Sequence, residues 1–254
     1  MDRCLFDFAL RMGDTTLILS QRLSAWCGHG PILEEDLALT NTALDLLGQA
    51  RLWLSLAGDV EGAGRDEDRL AYLRDAHEFR NVLLVERPNG SYADTMARQF
   101  FFDAWHYFLL RDLSASSEPR VAAIAAKAVK EAAYHARRSA DIVVRLGDGT
   151  DESHRRMQAA IDDSWPYTGE LFADDEIDAD LAGRGIGCSL AGLYEPWLGQ
   201  VSAVLQEATL TPPGEDLARH AAFRGGRQGR HTEALGPLLA EMQFLQRAYP
   251  GASW

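Results

Sequence analysis

Apolar residues recur every three or four positions along almost the whole of this chain, and no stretch of useful length alternates at every second position. That period lines apolar side chains along one face of an α-helix, so the spacing predicts an all-α fold. Leu5, Phe8, Met12, Thr15, Leu19, Leu23 and Trp26 trace a first long helix, stopped by the GHGP that begins at Gly28. A second is predicted from Leu33 to Ala57, ended by Gly58. It carries two apolar stripes, Leu37, Leu44, Leu47 and Leu54 on one, Leu39, Ala43, Leu46, Ala50 and Trp53 on the other, which predicts burial on most sides.

The same period continues downstream. Residues 69 to 86 read as part helical, and RPNG at 87–90 as a turn. Ser91 with Asp94 marks the start of a third helix reaching Leu113, with Met96, Phe100, Asp103, Tyr107 and Leu110 on one stripe. A fourth is predicted from SSEP, with Ser117 as cap and Pro119 in its first turn; its stripe holds Val121, Ala125, Ala128, Ala132, His135, Ser139, Ile142 and Leu146, and Gly147 ends it. A fifth runs from Glu152 to Phe172 with a kink at Pro166, followed by the acidic ADDEIDAD as a loop or helix end. A sixth spans Leu190 to Ala208, interrupted by Pro196. After the turn TPPGED and the basic, Gly-rich RHAAFRGGRQGRH comes a last helix, Glu233 to Tyr249. Nothing divides the chain more strongly than a loop does. Residues 1–254 therefore read as a single domain, a bundle of long helices with additional helices at the C-terminal end.

Composition narrows the function classes. With 254 residues, 46% hydrophobic and 25% charged, the chain has side chains enough for a sizeable core. A net charge of -13 repels phosphate backbones, which argues against nucleic acid as a partner. Three scattered cysteines, Cys4, Cys27 and Cys188, form no CxxC pair, so neither a zinc site nor a disulfide framework is indicated. Acids interrupt the apolar residues of the first stretch, unlike a signal peptide, and no run approaches a membrane span. A cytoplasmic location is the expectation. No Walker pattern and no Gly-x-Ser-x-Gly elbow occurs; RGGRQGR reads as a surface loop, or else as a docking patch for an acidic partner or a CoA phosphate.

The chemistry that does stand out is metal-like. In KEAAYH, Glu131 and His135 are four apart and share a helix face; in DAWH, Asp103 and His106 are three apart. Carboxylate and imidazole at helical spacing is how helix bundles build di-iron and di-manganese sites. The competing reading is a polar network in the bundle core, an Asp103–His135 pair completed by Gln21, Gln49 or a nearby Lys or Arg. His106, at the edge of its stripe, reads as a satisfied structural histidine.

Five stretches carry a family resemblance: LSQRLSAWCGHGP, DLALTNTALDLLGQAR, VERPNGSYADTMARQFFFDAWH, KEAAYHARRSADIVVRLGDGT and GRHTEALGPLLAEMQFLQRAYPG. Together they resemble the PaaC subunits of bacterial phenylacetyl-CoA epoxidase (phenylacetate-CoA oxygenase) complexes, over nearly the whole chain. The resemblance implies a ferritin-like fold and a structural role beside a related subunit, PaaA, which holds the di-iron centre and the substrate. It implies further components, PaaB and the reductase PaaE, the latter passing electrons from NADPH through flavin and iron–sulfur. No cofactor is expected in this chain, nor any catalytic residue.

Laid on the chain, the ferritin-like ligand pattern of four carboxylates and two Glu-x-x-His histidines falls on Gln21, Leu46, Gln49, Asp103, Ala132 and His135. Only Asp103 and His135 keep ligand chemistry. Asp45 and Glu131 stand one residue from Leu46 and Ala132, but one residue turns a side chain about 100° around a helix. The expectation is a degenerate site and a non-catalytic subunit. The alternative is a self-sufficient di-iron or manganese carboxylate oxidase or oxygenase. A subunit of this kind needs a large apolar face, expected near the second helix and the aromatic run from Phe100 to Phe108, and the lone chain is expected to self-associate.

Overall fold

The structure, a computed structural model, describes residues 1–214 and 223–252. The end of TPPGED, the beginning of RHAAFRGGRQGRH with His220, and Trp254 lie outside the described residues. Among the described residues every regular element is helical. The chain divides into two compact units, Met1–Pro88 with Gly225–Trp254, and Asn89–Arg224. The class is all-α, and each unit contains one long antiparallel helix pair of the kind that builds ferritin-like bundles.

In the first unit the pair is α1 (Arg3–Ser24) and α2 (Leu33–Glu61). Phe8 packs edge-on against Trp53 while the Ser20 hydroxyl donates to the Ala43 carbonyl, which fixes the antiparallel register. α2 runs a full turn beyond its expected end. Gly58 lies inside the helix, where a Cβ would stand 2.2 Å from the Arg65 carbonyl oxygen, so its glycine serves the close approach of the next loop. Gly62, in the left-handed region at φ 68°, is the residue that stops the helix.

Short helices α3 (Glu67–Tyr72) and α4 (Leu83–Glu86) follow, and α10 (Leu235–Ala248) returns to cover them. Gln243 donates to the Ala71 and Arg74 carbonyls at 3.0 Å each, and Arg247 to those of Tyr72 and Arg74, so α10 satisfies carbonyls that the end of α3 leaves open. A buried ion pair and a buried carboxylate that meets an imidazole tie the unit together. Arg74 reaches both carboxylate oxygens of Asp14 on α1, and Asp14 also accepts the Arg80 amide at 2.8 Å. Glu86 accepts from His231 Nδ1 at 2.9 Å, from the Thr232 amide at 2.6 Å and from the Asn81 amide group at 3.1 Å. The glycines of the basic loop pack closely here: a Cβ on Gly226 would meet the Asn81 carbonyl oxygen at 2.2 Å, and one on Gly229 the His77 carbonyl oxygen at 2.3 Å. From Gly225 onward this segment is a fitted staple rather than a free surface loop.

In the second unit α5 (Tyr92–Leu113) pairs with α6 (Pro119–Gly147). A Ser91–Asp94 capping box starts α5 as its sequence predicts. The α6 cap is Glu118, which accepts the Arg120 amide; Ser117 instead donates to the Arg184 carbonyl. α7 (Asp151–Ser164) ends where Pro166 approaches, and the chain continues as a 3-10 helix from Trp165 to Phe172 rather than as one kinked helix. ADDEIDAD is a helix start: Asp175 and Asp178 form the capping box of α8 (Glu176–Gly183). Pro196 does not interrupt α9 (Tyr194–Glu207); it sits in its first turn, where a missing N–H costs nothing. Most of the aromatic run expected at a partner face is core: Phe100, Phe101 and Phe102 are fully buried and Trp105 nearly so, while Tyr107 and Phe108 are half-buried. Trp105 donates to the Leu171 carbonyl at 2.9 Å, and Trp197 of α9 to that of Phe101 at 3.0 Å.

Candidate functional site

α5 is buried along most of its length, and its polar side chains at 99, 103 and 106 go in with it. Spacings of four and three place Gln99, Asp103 and His106 on one helix face. His135 and Ser139 of α6 sit opposite, one turn apart, and all five are at most 2% exposed. Gln99 donates to Asp103 Oδ1 at 2.6 Å. The Ser139 hydroxyl donates to the His135 carbonyl at 3.0 Å and also faces Asp103. Asp103 Oδ2 and His106 Nε2 have no partner in hydrogen-bond geometry among the described residues.

Electrostatics follows from that burial. Loss of water pushes the Asp103 carboxyl up to about 6, against the opposing pull of the facing His135 ring, then Ser139, Gln99 and Arg138. Burial, with the neighbouring His135, takes His106 down to about 3 and keeps its ring neutral near pH 7. His106 is thus not a satisfied edge residue. It lies deep in the core, 4.8 Å from the Phe102 ring centre, with one nitrogen unmet.

The structure brings together Asp103 and His135, and adds Gln99 and Ser139, which the sequence does not single out. Ala132 is buried on the same face of α6, while Glu131 beside it is half-buried. In the first unit Leu46 and Gln49 are buried, Gln21 and Asp45 half-buried. Of the six expected ligand positions, one offers a carboxylate and one an imidazole; two offer neutral amides, and Leu46 and Ala132 offer no donor. Two ferrous ions carry four positive charges, and this set does not balance them. Among the described residues no three His, Cys, Asp or Glu side chains converge as a cation site. The residues present do not fit a di-metal centre.

The Cys188 thiol is pushed up to about 12 by burial and by Asp112, Asp174 and Asp178, which makes it a poor nucleophile. Among the described residues no helix is long and apolar enough to cross a membrane.

Sequence comparison decides the lineage. The family model described as phenylacetic acid catabolic protein matches residues 1–254. The chain belongs to the phenylacetic acid catabolic protein family. Within that family it is similar to the C subunit of the 1,2-phenylacetyl-CoA epoxidase of Escherichia coli (strain K12), 54% identical over 247 residues, which is 97% of this chain and 98% of that protein.

Proposed function

We propose that this chain is a non-catalytic structural subunit of a multicomponent phenylacetyl-CoA ring epoxidase in aerobic phenylacetate catabolism. The observation that carries the proposal is the 54% identity, over 97% of the chain, to a protein named as the C subunit of such an epoxidase. The donor set at Gln21, Leu46, Gln49, Asp103, Ala132 and His135 supports the non-catalytic part: no oxygen-activating metal centre is assigned to these residues. In this proposal a related subunit, PaaA, holds the di-iron centre and the substrate, and this chain stabilises it. PaaB and the reductase PaaE complete a cytoplasmic, NADPH-dependent monooxygenase, with flavin and iron–sulfur in the reductase. The Asp103–His135 network fills the core space that a metal cluster occupies in the catalytic sister.

The test is metal content. The chain, purified alone after aerobic loading with ferrous ion, is expected to retain almost no iron or manganese. Two irons per chain with an oxo-bridge absorption band would overturn the proposal and make the protein an oxygenase in its own right.

A further inference from the structure

α6 is charged against the rest of the molecule. The chain carries a net charge of -13, yet the helix from Pro119 to Gly147 holds six Lys and Arg side chains and two acidic ones. Both lysines of the chain, Lys127 and Lys130, lie here. With Tyr134, Arg137 and Asp141 they form a stripe at 127, 130, 134, 137 and 141, spaced by three and four, on the side of the helix turned away from the buried His135 and Ser139. All five are exposed, and Tyr134, 51% exposed, stands between the lysines and Arg137. Among the described residues the side chains of Lys127, Lys130 and Arg137 enter no ion pair or hydrogen bond. On α7, by contrast, Glu152 holds both Arg155 and Arg156. Ala123, Ala126 and Ala133 flank the stripe with side chains too short to keep another backbone away; Ala123 and Ala126 are exposed and Ala133 is half-buried.

We propose that this face of α6 is a docking surface for an acidic helix of another protein. Charge names the occupant: cations without partners on one stripe are complementary to carboxylates and repel a like-charged surface. The stripe runs from Lys127 to Asp141, about 21 Å of helix, so carboxylates three and four positions apart on a second helix meet the cations in turn. Tyr134 supplies the apolar centre that charge alone lacks. A tyrosine exposed among alanines is an anchor that sheds its water when a partner closes over it. A second copy of this chain fits poorly, because a two-fold pairing through this face sets cation against cation. Nucleic acid fits poorly as well. Asp141 shares the stripe, Glu131 lies next to Lys130, and the field of a chain at -13 repels a phosphate backbone. This inference does not rest on the epoxidase reading.

The probe is a fluorescent helical peptide of about three heptads, with glutamates at two heptad positions and a leucine between them. Anisotropy is expected to show that the full chain binds it, more weakly as salt rises from about 0.05 to 0.5 M, and does not bind the same peptide with lysines in place of the glutamates. Lys127→Glu combined with Lys130→Glu is expected to weaken binding roughly a hundredfold, and Tyr134→Ala roughly tenfold. The helical circular dichroism stays unchanged, because all three residues are exposed. A second measurement reads the place of contact. A water-soluble carbodiimide condenses an amine with a carboxylate, and Lys127 and Lys130 are the only side-chain amines in the sequence. It is expected to join the peptide to one of them, as mapped by mass spectrometry. Lys127→Arg with Lys130→Arg is expected to lose that cross-link and still bind. Failure to bind the acidic peptide, equal binding of the basic one, affinity untouched by the glutamate substitutions, a cross-link at the Met1 amine alone, or a DNA duplex bound as tightly through the same residues would each overturn the proposal. So would cross-linking of these lysines to a second copy of the chain when the peptide is left out.

Discussion

Asp103 is a carboxylic acid held where water does not reach. Its folded-state pKa is raised to about 6 from an ordinary 3.8, so between those values the unfolded chain has released a proton that the folded chain keeps. Stability therefore falls as pH rises through that window, by a total of about 3 kcal/mol. His106 acts in the opposite sense. Its pKa is lowered to about 3, so the unfolded chain takes up a proton below about pH 6.5 and stability is lost as pH falls. In the wild type the two slopes oppose one another between roughly pH 4 and 6. Asp103→Asn keeps an acceptor for Gln99 and removes one slope. The variant is expected to be more stable than wild type at pH 7.5, by about 2 kcal/mol, and to lose stability more steeply on acidification; urea denaturation at pH 4.5 and 7.5 checks both. Parallel pH profiles for the two proteins would show that the Asp103 proton is not linked to folding. Asp103 and His135 are legible in the sequence because a charged or titratable residue on an apolar stripe is conspicuous. Ser139 lies on the same stripe as His135, but Gln99 is not legible, since a neutral polar residue off the marked stripe gives no sign of turning inward until its rotation is fixed by packing.

At the scale of elements, the helices themselves are written plainly in the period of the sequence, and α5 is bounded by its capping box and last leucine as that period predicts. What the period does not tell is that Leu37, Leu44 and Leu47 of α2 lie exposed while Leu54 of the same stripe is buried, because both stripes have the right spacing and only packing chooses between them. The prolines mislead for a related reason. Pro166 and Pro196 cost a helix little near its first turn, and a single sequence does not fix where that turn begins. Pairings between distant elements have no local signature at all, and the Glu86–His231 pair joins residues 145 positions apart. His231 also meets the Phe79 carbonyl oxygen at 3.0 Å through Nε2, so both ring nitrogens face acceptors, and the Glu86 carboxylate is fully buried. His231→Ala leaves that carboxylate without its imidazole partner and is expected to cost roughly 3 kcal/mol, read as a shift of the urea midpoint. A loss within experimental error would show that the Thr232 amide and Asn81 suffice to hold Glu86.

For the molecule as a whole, the family and the all-α class follow from the sequence, while the division into two units does not, because the first unit is discontinuous. Its last part is bound to its first by Glu86, Gln243 and Arg247. A chain ending at Arg224 is expected to keep a protease-resistant core within residues 89–224 and to be cleaved readily within 1–88, as mapped by limited proteolysis and mass spectrometry. Equal protection of both regions would mean that the returning segment is dispensable.

That discontinuity sets an order of events on the ribosome. The segment from Asn89 to Arg224 can complete its contacts as soon as it emerges. The opening helices cannot, because the staple they need is made last, on the order of ten seconds later at ordinary elongation rates. During that interval nascent α1 and α2 present their apolar surfaces without their final cover, which makes the N-terminal region the part of this protein most dependent on a chaperone or on early capture by another chain.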